Sequence, residues 1–81
     1  MAFPDVEARA EQIRQKLGKH GLSSRDLKII AEAQATGEIM RETQAPIDGK
    51  LAKRFTKLAS SDAHNRAVEH LIDADNKLRN G

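Results

Sequence analysis

No cysteine, tryptophan or tyrosine occurs among the 81 residues. Without cysteine the chain has no disulfide framework, no thiol nucleophile and no thiolate metal site. Without Trp or Tyr, stacking on nucleobases is left to Phe3 and Phe55. Long apolar runs are missing as well. None exceeds three residues, Ile29-Ile30-Ala31 among them, whereas a membrane span needs about 20. Met1-Ala2-Phe3-Pro4-Asp5 has no basic region followed by an apolar stretch, so no signal peptide is expected. These absences lead to the expectation of a cytoplasmic protein without membrane association.

Large apolar side chains are scarce too. Six Ile, seven Leu, two Val, two Met and two Phe make 19 of 81 residues, and twelve Ala complete the apolar set. Charge is plentiful but balanced, with 14 Lys and Arg against 12 Asp and Glu and a net +2. Low hydrophobicity with high net charge would point to disorder. Here the net charge is small and the apolar residues recur at regular spacing. A folded chain with a thin core follows, read as one helical domain over residues 1–81, for which a partner or a second copy supplies part of the stability.

Periodicity predicts four helices and no strand. The first spans about 4–17, with Pro4 in the opening turn and Val6, Ala10, Ile13 and Leu17 on one face. Phe3 is expected to pack back on that face. Gly18-Lys19-His20-Gly21 reads as a helix–helix turn; a phosphate-cradling loop would need a Lys-Ser/Thr pair that is missing. The second helix spans about 23–42, with Ser23 and Asp26 as a capping-box variant and an apolar stripe through Leu27, Ile30, Ala33, Gly37 and Met40. Gly37 inside it implies either a bend or a close backbone approach. Pro46 and Gly49 then break the pattern, Ile47 is expected to plug the core, and Asp48 to cap a third helix over about 49–59. Leu51, Phe55 and Leu58 form the apolar face of that helix. The fourth spans about 62–78 behind the Ser60-Ser61-Asp62 cap cluster, with Ala67, Leu71, Ala74 and Leu78 in a stripe. Three acid-first i,i+4 pairs line it: Asp62–Arg66, Asp73–Lys77 and Asp75–Arg79. Short loops make the simplest architecture a compact all-α bundle of four short helices, with Ile30, Leu51, Phe55 and Leu71 expected to be buried.

The residues that carry chemistry are poorly arranged for it. His64 and His70 lie about 120° apart around a helix and His20 sits in a turn, so no metal site is expected beyond a two-ligand His70–Asp73 pair. Ser23, Ser24, Ser60 and Ser61 all stand where caps are needed. The helical carboxylates have basic neighbours, which does not suggest a raised pKa for general acid work. A chain this short is also not expected to enclose a ligand cleft of several hundred cubic ångströms. The expectation is a non-enzymatic protein with no cofactor.

The basic third helix is the best local signal. From Lys50 to Ser61 there are four cations, Lys50, Lys53, Arg54 and Lys57, and no anion. Such a helix meets an acidic protein surface or neutralises phosphates; a merely solvated face is the plain alternative. A helix-turn-helix fits in neither register. With Gly37 as the turn glycine, Thr43 and Pro46 fall where apolar residues belong; with Gly21, Leu17 is too large for its place. Three functions follow in order: a small binding protein that docks on a larger protein as regulator, inhibitor or adaptor, of the size encoded by phages or plasmids; a nucleic-acid-binding regulator using the third helix; and a structural homodimer. For the last, Ala33 and Gly37 supply a close-approach patch that Ile39 and Met40 complete. An alternative is that Ala33 and Gly37 admit helix four within one monomer.

Overall fold

The computed structural model describes residues 4–80. The packing expected of Phe3 and the stop expected at Gly81 lie outside them. The described residues form four α-helices: α1 Pro4–Leu17, α2 Ser24–Thr43, α3 Lys50–Ala59 and α4 Asp62–Asn80, with a 3₁₀ turn Gly18–His20 between the first two. No strand occurs among the described residues, and the fold is all-α, as the periodicity predicts.

Local chemistry sets the helix ends. Asp5 and Glu7 occupy the first turn of α1 and Arg14 and Lys16 its last, each at the end of the helix dipole it complements. Gly21 closes the connection in the left-handed region, φ 73°, where glycine pays no Cβ penalty. The Ser23 side chain accepts from the Asp26 N–H at 3.2 Å and caps α2. At the far end of α2, Gln44 turns left-handed, φ 52°, and the Ala45 N–H donates to the Met40 carbonyl at 3.0 Å. Ser60 and Ser61 serve two helices at once. Their hydroxyls donate to the Thr56 and Leu58 carbonyls at the end of α3, and Ser61 Oγ accepts from the His64 N–H at 3.1 Å to open α4.

Helix α2 is the shared strut. α1, α3 and α4 all pack on it, and α3 and α4 touch each other little. The result is elongated, 42 × 23 × 19 Å. One face of α2 carries Ala31, Ala35 and Ile39, at steps of four. They form the main core with Val6, Ala10 and Ile13 of α1, and Leu17 and Leu51 pack against it. The opposite side buries Ile30, Ala33 and Thr36. A helix wrapped on most sides has no single apolar stripe, which is why the one-stripe reading of α2 is incomplete. Small residues permit the wrapping: Ala31, Ala35, Thr36 and Ala67 have no accessible surface at all. The Thr36 hydroxyl is satisfied within the helix, donating to the Glu32 carbonyl at 2.6 Å.

Several expectations need correction. Of the four residues expected in the core, Ile30 is buried, while Leu51, Phe55 and Leu71 are half-buried. Ile47 does not plug the core; it is 94% exposed. The Gly49 N–H donates to the Pro46 carbonyl at 3.0 Å, so Ile47 is the second residue of a tight turn and its side chain is thrown outward. Asp48 does not cap α3, because Gly49 occupies the N-cap and no side chain bonds there. Of the three ion pairs expected along α4, Asp75–Arg79 closes at 3.1 Å, and the other two do not form among the described residues.

Candidate functional site

α3 builds its two faces from one ten-residue segment. At about 100° per residue, Leu51, Phe55, Leu58 and Ala52 fall on one side and Lys50, Lys53 and Lys57 within about 60° of one another on the other. Ala52 is buried, and Leu51, Phe55 and Leu58 are half-buried. The Phe55 ring lies on α2 at Gly37. A Cβ placed on Gly37 would come within 3.0 Å of Phe55 Cε1. Gly37 therefore marks a close approach inside α2, to α3 and not to α4. The same contact commits Phe55 to packing, so it is not offered for stacking.

The four cations of α3 separate in space. Arg54 reaches Glu32 of α2 at 3.8 Å. Lys50, Lys53 and Lys57 are exposed and form no ion pair with a described residue. They make a cationic ridge along the outer face. At its Lys50 end the local electrostatics are unfavourable, because the first turn of α3 holds no acid and no capping side chain and lies at the positive end of the helix dipole, whereas Lys57 sits in the last turn.

The four residues expected to share a self-association patch are divided by α2. Ile39 lies in the α1–α2 core. Ala33, Gly37 and Met40 share the other side of α2, where Ala33 is buried, Gly37 is covered by Phe55 and Met40 is half-buried. Ile39 alone is separated from the other three, because it faces α1.

Long-range polar contacts hold the helices in register, and no local spacing signals them. Arg9 of α1 donates to Glu38 at 2.8 Å and to both carboxylate oxygens of Glu42 at 2.7 and 2.9 Å. Donating to Glu42 and Glu38 holds the guanidinium above the ordinary arginine range. In return, the hydrogen bond from Arg9 holds the Glu42 carboxyl below its ordinary value of 4.5. On the other side of the molecule, His70 Nδ1 lies 2.7 Å from Asp26 Oδ2 and ties α4 to α2. His20 Nε2 of the 3₁₀ turn faces Asp75 Oδ1 of α4 at 3.6 Å, beyond hydrogen-bond reach. His70 is thus exposed but bonded, and its partner is Asp26 on another helix instead of Asp73 on its own.

Beside these contacts lies a cleft of about 500 Å³ whose walls include His20, Asp26, His70, Asp73 and Lys77. It is a depression largely open to solvent, not an enclosed ligand cleft. Its Asp26 and His70 are bonded to each other. Among the described residues no group of three or more His, Asp or Glu is placed to hold a metal ion, and no helix is long and apolar enough to cross a membrane. No protein-family model, curated protein or solved structure matches the chain.

Proposed function

We propose that this chain is a small, non-enzymatic helical binding protein that docks through α3 on an acidic surface of a larger protein, as a regulator, inhibitor or adaptor. The observation that carries this reading is the ridge of Lys50, Lys53 and Lys57, three exposed cations with no acidic partner among the described residues. What sets the three lysines apart is that they stand together on one face of a helix that contains no acid, whereas Arg9 is paired across helices with Glu38 and Glu42. Of the three, Lys50 stands in the first turn of α3, at the wrong end of the helix dipole. A cation there costs a few tenths of a kcal/mol (about 0.3–1), and carboxylates brought by a partner would offset that cost. Phosphates would as well, but the only described aromatic is packed on Gly37, which removes the stacking that supports single-strand binding.

The test is charge reversal with the fold intact. Lys50→Glu, Lys53→Glu and Lys57→Glu together should abolish partner binding, read as loss of the product formed by a photocrosslinker at Thr56 in the cell of origin. Circular dichroism should be unchanged, since all three side chains are exposed. An unaltered product would refute the docking role of α3. Tight duplex DNA binding with a log–log salt slope near −3, about 0.9 per lysine, would replace the protein partner by nucleic acid.

A further inference from the structure

The turn that leads into α3 presents a side chain that the fold does not use. Ile47 is 94% exposed, far above the 53% and 55% of the next most exposed large apolar residues, Ile72 and Leu78. Scattered exposed apolar residues are ordinary on protein surfaces. Ile47 differs in how it is held. The chain before it is fixed by the left-handed Gln44 and by the Ala45 bond to Met40. The chain after it is fixed by the 3.0 Å bond from the Gly49 N–H to the Pro46 carbonyl. Pro46 has its φ locked by its ring, and Gly49 sits so close that a Cβ there would come within 3.0 Å of Pro46 Cγ and 3.2 Å of its carbonyl oxygen. Turn corners usually carry Asn, Asp, Ser or Gly. Here a tight, doubly fastened turn holds a β-branched apolar side chain out in water, three residues before the first lysine of the ridge.

We propose that Ile47 is the apolar anchor of the docking surface, inserting into an apolar pocket on the partner protein whose rim carries carboxylates opposite Lys50, Lys53 and Lys57. This rests on the reading of α3 as the docking helix. The chemistry is that of an interface hot spot: one rigid apolar side chain desolvated in a pocket, with a charged rim that steers approach. Pre-organisation of the turn means that little conformational freedom is lost on binding. Charge complementarity selects the partner class. Asp48, exposed beside Ile47, would be repelled by a uniformly anionic lipid surface, whereas a protein can place carboxylates opposite the lysines alone.

The experiment uses the full chain in its cell of origin, with the photocrosslinker benzoylphenylalanine at position 47, at Thr56 on α3, or at the exposed Gln12 of α1 as a control. Positions 47 and 56 should yield the same product and position 12 should not. The partner peptide captured from position 47 should carry apolar residues flanked by Asp or Glu. With the crosslinker at 56, Ile47→Asp should lower the yield about tenfold or more, the scale of losing one buried aliphatic side chain, while Ile47→Leu should stay within about twofold. Melting of both variants should match the parent, because the side chain touches little. If Ile47→Asp leaves the product from 56 unchanged, the anchor is overturned and the α3 reading stands. If reversal of the three lysines also leaves it unchanged, both fall. Binding to vesicles of phosphatidylserine and phosphatidylcholine that Ile47→Asp abolishes, with no protein product from 47, would overturn the protein pocket in favour of a membrane surface.

Discussion

The α1–α2 hairpin and the α3–α4 segment are built to different standards. The hairpin closes on six buried residues, Val6, Ala10, Ile13, Ala31, Ala35 and Ile39, and clamps its far end with Arg9 on Glu38 and Glu42. The other half buries only Ala52 and Ala67 of its own residues. It leaves Ile72 and Leu78 half in water and holds α4 to α2 partly through His70–Asp26. Burial of apolar area is the main stabilising term, so stability should concentrate in the hairpin. Free surface, and with it the capacity to meet a partner, concentrates in α3 and α4.

The comparison is broken most directly at Ile39. Ile39→Ala leaves a cavity in the main core and should cost about 2–5 kcal/mol, most of what a domain this small holds; chemical denaturation checks it. Phe55→Ala on the other half should cost less, about 1–2 kcal/mol, because the ring is only half-buried. Equal losses for the two variants would mean that the halves are equally built.

The clamp at Arg9 is the next test. Its groups are well solvated, so Arg9→Met should destabilise only slightly at pH 7. The pH dependence is the sharper readout. Glu42 has its folded pKa lowered by Arg9. Its stabilising contribution is therefore fully present above the ordinary value of 4.5 and lost as pH falls through the lower folded value. Melting curves of parent and variant should differ at pH 7 and converge in the acid range below 4.5; a constant gap would separate the clamp from Glu42 ionisation. The smallest effect belongs to Ile72→Ser. With half its side chain already in water, it should change stability by no more than about 0.5 kcal/mol, and a larger loss would place Ile72 in the structural core.

The helix ends were readable because their signals are local. Pro4, Gly18, Ser23 and the Ser60-Ser61 pair act within one turn, and each marks a boundary within a residue or two of its place. The basic face of α3 was readable for the same reason. What escaped was decided across the chain. Glu38 and Glu42 are 29 and 33 residues from Arg9, and Asp26 is 44 from His70, so no spacing rule connects them. Ile47 was misjudged because an apolar residue in a loop was taken to point inward. The Pro46–Gly49 hydrogen bond, which sends it outward, depends on backbone geometry and not on hydropathy. Ile39 and Gly37 were joined because one stripe was assumed for a helix that three others surround.

The hairpin also has a kinetic consequence. Its two helices are neighbours in sequence, joined through one 3₁₀ turn and the three residues Gly21, Leu22 and Ser23, so closing it needs only short loops. Chains rich in local contacts fold fast, and the segment that closes at least entropic cost is favoured as nucleus. Structure should then grow outward from α2, with α3 and α4 settling on a strut already braced by α1. In denaturant chevrons, Ile39→Ala should slow folding, while Phe55→Ala should mainly speed unfolding. The surface that offers Ile47 and the lysine ridge would be the last part of the molecule to form and the first to let go.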